Sequence, residues 1–380
     1  MRIAILAHNL RVAGGLSVGR NVIAALRHVG DEHEYLLTLP AGVGYEDQER
    51  PTRATCHFYA RRFGPAGQAL FDLVGAPRRV RRFAPDVVWA LGNHGLTRPR
   101  APQALLCHMP HLWYDPQEQP RQIWRPDRDL YYVKWRLRRC LPATQLVFLQ
   151  TQTAAERFRR TFAYTGRTAL MPNAVSRYVG GAADADMPAP LAALRSRFVL
   201  FCLTRYYPHK NLEALAELFR RHHAELADVV IVLTLAPDDS AASAGFVAQL
   251  AEPVLRDHLV NVGPLPQAQL AGYFRHCRAL ILPTVLESFS GTYLEAMQFG
   301  TPILTSDLDF ARETCGDAAA YFDPWNVDSI KDAILRLKNE PGLSATLIER
   351  GRQRAESMFR SWDDIVAAAL RELLSLCGPL

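Results

Sequence analysis

Short, unbroken apolar runs recur along this chain, with enough residues between successive runs for a helix. In the first half they are 3–7 (IAILA), 34–39 (EYLLTL), 86–91 (DVVWAL), 104–109 (ALLCHM), 145–151 (QLVFLQT) and 168–172 (TALMP). Between the first two, the stretch GLSVGRNVIAALRHVG sets Val18, Val22, Ala25, Leu26 and Val29 at helical spacing and closes at Gly30. Runs that are apolar at nearly every position suit strands buried on both faces, which predicts a parallel sheet covered by helices. The pattern lapses over 176–197, rich in Gly, Ala, Pro and Asp, and reads there as a linker. It resumes with 198–204 (FVLFCLT), 228–235 (DVVIVLTL), 258–263 (HLVNVG), 278–284 (RALILPT), 301–306 (TPILTS) and 318–323 (AAAYFD), and turns helical from about 327. The predicted fold is α/β, with two doubly wound Rossmann-like domains facing across a cleft. Their expected bounds are 1–175 and 198–355. Such sheets bind ligands at the carboxyl ends of their strands, so the cleft is the expected site.

A length of 380 residues agrees with two domains, and 49% hydrophobic with 22% charged residues describes an ordinary globular chain. No apolar run approaches the ~20 residues of a membrane-spanning helix, and MRIAILAHNL reads as a first strand rather than a secretory signal. The seven cysteines are scattered, odd in number and without a CxxC pair, which argues against a disulfide framework and a cysteine-zinc site. A cytoplasmic protein is expected. The net charge of +6 conceals a split: residues 1–190 carry 26 Lys+Arg against 15 Asp+Glu, and the remainder 18 against 23. The first half is therefore expected to meet something anionic. Its basic clusters are Arg61-Arg62, 78–82 (RRVRR), 125–140 and 157–160 (RFRR). The 125–140 segment interleaves Tyr131, Tyr132, Val133, Trp135 and Leu137 with arginines. That fits either a helix on an anionic membrane surface or a solvated helix with its aromatics turned to the core. No nucleic-acid-binding module accompanies the charge.

Two constellations carry candidate chemistry. Where the first strand of the second domain ends, LTRYYPHKNLEALAELF places Arg205 and Lys210 in a turn, with Asn211 and Leu212 opening a helix. Two cations at a helix start form an anion site suited to a phosphate or diphosphate; the plainer alternative is a surface loop with Lys210 in water. Further on, ESFSGTYLEAMQFG delivers Glu287 at a strand's carboxyl end and Glu295 inside the next helix. A helix starting near Ser290 or Gly291 points its first N–H groups at a second phosphate face. A carboxylate such as Glu295 accepts from two vicinal hydroxyls at once, as a ribose offers. Two glutamates at this spacing also arise by chance on a solvent face, but Leu282, Leu294, Met297 and Pro302 mark this segment as packed.

Together the E-x7-E pair Glu287/Glu295, the R-x4-K-N of Arg205, Lys210 and Asn211, and MPNAV at 171–175 resemble family 4 of the retaining glycosyltransferases, which have the GT-B fold. The stretch 263–284 resembles the family's approach to the double-glutamate motif. In the first domain the resemblance is thinner, resting on RVAGGLSVGRNVIAAL and CHMPHLW. The resemblance implies that Arg205 and Lys210 bind a donor diphosphate and stabilise it as leaving group. It implies that Glu295 holds the nucleotide ribose and that Glu287 contacts the transferred sugar. The backbone of Phe289, Ser290, Gly291 and Thr292 would line sugar and phosphates, and Leu265 would meet the base. Gly14 and Gly15 would let the backbone approach the phosphates or acceptor. His108 would sit over the sugar, with His111 its rival, and Asn173 would lie on the hinge side. No cofactor and no metal are implied, because the nucleoside-diphosphate sugar is itself the substrate. GDP-mannose is favoured, with UDP- and dTDP-sugars close behind, and the acceptor is expected to be a glycan or lipid-linked glycan. In that fold the last helix, 356–380, crosses back to the first domain, and Phe359, Trp362, Ile365 and Leu370 are spaced for a packed face.

Rival readings remain at this point. The pairs Asp184/Asp186 and Asp307/Asp309 have the spacing by which metal-dependent transferases hold a cation. A nucleotide-sugar epimerase or hydrolase, or a nucleotide-sugar-binding protein without catalysis, would use the same architecture. Gly14-Gly15 lacks the G-x-G-x-x-G spacing of a dinucleotide oxidoreductase.

Overall fold

The thirteen described strands form two all-parallel sheets. The structure, a computed structural model, describes residues 1–60, 64–115, 118, 128–175, 186–358 and 360–378. Arg61-Arg62, Arg125, Asp184, residues 176–185 of the expected linker and Phe359 lie outside these. The chain divides into two compact units, one holding the described residues of 1–115, 128–175 and 360–378, the other residue 118 and those of 186–358.

In the first unit the strands are β1 (Arg2–Leu6), β2 (Glu34–Pro40), β3 (Ala54–Tyr59), β4 (Val87–Ala90), β5 (Gln103–Leu106), β6 (Leu146–Leu149) and β7 (Arg167–Leu170), in the order β3-β2-β1-β4-β5-β6-β7. Residues Ile3, Ile5, Val87, Trp89, Leu146 and Phe148 of the inner strands are fully buried, as doubly covered strands require. Strand β3 was not among the expected runs. Its sequence, ATCHFY, is half-polar and only partly buried at the sheet edge, where one side of the ladder is open and no continuous apolar run is needed. The C-terminal helix Trp362–Leu374 belongs to this unit. Ser361 caps it by accepting from the Asp364 N–H at 3.0 Å, while the Asp364 carboxylate accepts from the Ser361 N–H at 3.0 Å. Trp362, Ile365 and Leu370 join the core formed with Val22 and Leu26 of the helix Ala13–Val29.

In the second unit β8 (Phe198–Cys202), β9 (Val229–Leu233), β10 (Leu259–Asn261), β11 (Ala279–Leu282), β12 (Ile303–Ser306) and β13 (Ala319–Phe322) run in the order β10-β9-β8-β11-β12-β13. Residues 186–197, expected as linker, pack here. Leu191 is buried, and Pro188 with the carbonyl of Asp186 lies so close to Gly272 that a Cβ there would approach within 2.9 Å. A composition rich in Pro and Ala therefore concealed an ordered strap, since small residues suit close packing as well as they suit a linker.

Candidate active site

In the second unit, strand order reverses between β8 and β11, and the loops leaving these two strands build the site. The loop after β8 carries Arg205 and then a single tight turn, Pro208–Lys210, fixed by proline at its start. Asn211 follows with a φ of 53°, a left-handed conformation that asparagine tolerates better than most residues. Its side-chain amide donates to the Pro324 carbonyl at 2.9 Å, so this expected ligand-binding residue instead braces the turn from behind. The two loops are joined directly: the Val285 N–H donates to the His209 carbonyl at 2.9 Å, and the Thr284 hydroxyl donates to the same oxygen at 3.2 Å.

Within this frame Lys210 Nζ donates to Glu287 Oε1 at 2.5 Å, and Thr284 lies 3.1 Å from the same carboxylate oxygen. Both charged side chains are mostly buried, 20% and 13% exposed, yet reachable. Arg205 is paired instead with Asp239, and Asp239 was not a candidate because it belongs to no local motif.

The helix after β11 starts at Gly291, with Ser290 as its N-cap, where the sequence places it. The Ser290 side chain makes no capping hydrogen bond and no acidic residue occupies the first turn. A Cβ on Gly291 would meet nothing within 4 Å, so open space lies before this helix start. Such an end attracts an anion. Phe289 and Ser290 are buried beside it, and Leu282, Leu294 and Met297 anchor the segment in the core. Glu295 is partly buried and its side chain makes no hydrogen bond or ion pair among the described residues; burial pushes its carboxyl up to about 7. A carboxylate held this way has its acceptor lone pairs uncommitted. Gly263 bends the loop after β10 with a φ of 78°, and Leu265 follows it, half-buried.

In the first unit, His108 follows β5. Its backbone N–H and that of Met109 donate to Asn93 Oδ1 at 2.8 and 3.0 Å, and Asn93 itself holds a left-handed φ of 67° after β4. A Cβ on Gly15 would lie 3.1 Å from His108 Cε1, which is the physical reason for glycine there, whereas Gly14 faces open space. Desolvation lowers the His108 pKa to about 4, so its ring is neutral near pH 7. His111 lies in the short turn Pro110–Leu112 just beyond. Asn93 and Thr284 escaped the sequence reading, although each abuts a strand end that the apolar runs had marked.

The rival aspartate pairs fare differently. Asp184 lies outside the described residues. Asp307 is gripped by Arg312, whose Nε and Nη2 donate to its two oxygens at 2.6 and 2.8 Å, which leaves it poorly suited to a cation. On the helix Arg128–Cys140, the side chains divide between the core and the surface. Leu137 and Arg136 are buried and Tyr132 donates to Asp72 at 2.8 Å, while Tyr131 and Trp135 are 64% and 45% exposed.

Two doubly wound parallel sheets, with a site at the carboxyl ends of the second, belong to the GT-B class of glycosyltransferase folds. Residues 186–354 match the family model described as glycosyl transferases group 1. Among curated proteins, it is 29% identical over 117 residues to the O-antigen chain mannosyltransferase B of Escherichia coli, covering 30% of each chain. It is 27% identical over 163 residues to the MMP alpha-(1->4)-mannosyltransferase of Mycolicibacterium hassiacum, covering 42% of this chain and 38% of that one. The matches thus span well under half the length of these relatives. Among solved structures, sucrose-phosphate synthase from Thermosynechococcus elongatus superimposes with a TM-score of 0.76 at 18% identity, covering 99% of both chains. Anabaena HepE in complex with UDP and glucose gives 0.73 at 16%, again over 99% of both.

Proposed function

We propose that the protein is a retaining glycosyltransferase that moves a hexosyl unit, with mannosyl favoured, from a nucleoside-diphosphate sugar to a glycan or lipid-linked glycan. The observation that carries this reading is the Lys210–Glu287 pair, held across the strand-order reversal and near a helix start that lacks a side-chain cap. Lys210, Arg205 and the first N–H groups of the helix Gly291–Gln298 would receive the diphosphate. Phe289, Ser290, Gly291 and Thr292 would line it, Glu295 would accept from the ribose hydroxyls and Leu265 would meet the base. The bond from the anomeric carbon to the phosphate oxygen breaks, and the electron pair leaves with the diphosphate, whose growing charge the cations stabilise. The acceptor hydroxyl then attacks the same face and its proton passes to the departing phosphate. Glu287 contacts the sugar. His108 is proposed to sit over the sugar, and Gly14 and Gly15 would leave room for the backbone to approach. In this mechanism the two cations do the work that a metal performs in other transferases.

GDP-mannose is the favoured donor, since two of the relatives above are named as mannosyltransferases, while HepE was solved with UDP. A thermal-shift panel of GDP-, UDP- and dTDP-sugars tests the reading. A true donor at 100 times its dissociation constant stabilises by ~2.7 kcal/mol, and silence across the whole panel would sink the proposal.

The acceptor is proposed to be presented at an anionic membrane. No helix among the described residues is long and apolar enough to cross one. Tyr131 and Trp135, with Arg138 and Arg139 exposed beside them, form instead a basic aromatic face suited to peripheral contact. Co-sedimentation with phosphatidylglycerol vesicles at low salt is expected, weakened by Trp135→Ser and by ~0.5 M salt; partitioning away from the vesicles removes this part of the proposal.

A further inference from the structure

Arg205 and Asp239 sit on neighbouring loops, the first after β8 and the second at the end of the turn Pro237–Asp239 that follows β9. Asp239 Oδ2 accepts from Arg205 Nε at 2.9 Å, and Oδ1 accepts from Nη2 at 2.7 Å. Both bonds fall on one edge of the planar guanidinium. Of its five N–H groups, the two on Nη1 and the second on Nη2 lie on the other edge, on a side chain 46% exposed.

The two loops are themselves pinned. The Thr204 N–H donates to Thr234 Oγ1 at 3.0 Å and the Thr234 hydroxyl donates back to the Thr204 carbonyl at 2.9 Å. Tyr206 lies against Phe246, with ring centroids 5.5 Å apart. Ser240 caps the helix Ala241–Gln249 by accepting from the Ser243 N–H at 3.1 Å, and the Ser243 hydroxyl donates to the Ala236 carbonyl at 2.6 Å. Asp239 therefore presents its carboxylate from a fixed turn.

We propose that Asp239 is a positioning residue, which holds Arg205 by one edge so that the other edge receives a phosphate of the nucleoside diphosphate bidentately. The inference rests on the donor site proposed above. A freely swinging arginine would have to be ordered at the moment of binding; a side chain already clamped loses less freedom. The alternative is a carboxylate that merely competes with the phosphate for Arg205. The two roles predict opposite signs. Deleting negative charge beside an anion site tightens anion binding on Coulombic grounds, whereas deleting a clamp loosens it.

The test is calorimetric titration of the full chain with GDP and with UDP. For the nucleotide that binds, Asp239→Asn is expected to weaken binding about 10-fold, and Asp239→Glu, which keeps charge and fork, to recover most of the loss. In an Arg205→Ala background, Asp239→Asn is expected to change affinity less than about twofold, since a clamp has no effect without its arginine. If Arg205→Ala weakens binding while Asp239→Asn leaves it unchanged or tightens it, the positioning role is wrong and the donor site stands. If Arg205→Ala and Lys210→Ala both leave binding intact, the donor site falls and the role of Asp239 with it.

Discussion

Lys210→Ala is expected to lower the rate of sugar transfer by about 10²–10³-fold, the cost typical of deleting one donor aimed at charge that develops in a transition state. The ammonium of Lys210 reaches into the site from a turn braced by Asn211, and its position does not depend on a bound donor. As the glycosidic bond lengthens, charge on the diphosphate grows, so this contact strengthens between ground state and transition state and the loss falls on kcat more than on KM. The assay is initial-rate release of nucleoside diphosphate from the donor that gives the thermal shift. The substitution also leaves Glu287, 13% exposed, without its cation and beside the Thr284 hydroxyl. A stability loss of ~1–3 kcal/mol should accompany it. Lys210→Ala combined with Glu287→Gln separates the effects, since it restores stability but not rate. A Lys210→Ala enzyme within about threefold of the wild-type rate would remove this residue from the chemistry.

Glu295→Gln should act on stability and binding in opposite directions. Burial raises the Glu295 carboxyl from its ordinary 4.5 to about 7, with no donor among the described residues to offset the cost. Between these values the folded chain holds a proton that the unfolded chain has released. The stability from this group is therefore full below about pH 4.5 and is lost as pH rises through 7. Glutamine does not ionise, so Glu295→Gln should be more stable than wild type at pH 8 by ~1–3 kcal/mol, with the difference vanishing near pH 4. Nucleotide affinity should fall about 10–100-fold at pH 8, because hydroxyls donate more strongly to a carboxylate than to an amide oxygen. The wild type should bind nucleotide more tightly as pH rises through 7, and Glu295→Gln should show no such rise. Chemical denaturation and titration at pH 4, 6 and 8 measure both. Unaltered affinity in the variant would show that Glu295 does not hold the ligand.

The gain in stability expected at Glu295 has a simple origin: its carboxylate is buried without a partner among the described residues. The same logic separates the candidates. Lys210 and Glu287 face each other, and Asn211, expected to bind ligand, is committed to Pro324.

Nearly continuous apolar runs suffice to locate the inner strands of both sheets, because a strand covered on both faces has few polar positions to interrupt it. The helix starting at Gly291 and the packed face of Trp362, Ile365 and Leu370 are equally local, set by turn chemistry and by 3.6-residue spacing. Strand β3 was hidden because an edge needs no such run. The strap at 186–197 was hidden because proline and small residues look alike in a linker and in close packing.

Only the tertiary structure decides pairings between residues distant in the chain. Nothing in the order of residues announces that Arg205 takes Asp239, that Lys210 takes Glu287, or that the Glu295 carboxylate has no partner among the described residues. The sequence by itself determined which segments become strands and helices and which chemical groups stand at their ends. Folding determined which of those groups meet, because a parallel sheet brings together loops that follow non-consecutive strands, and burial then sets the charge each group can carry.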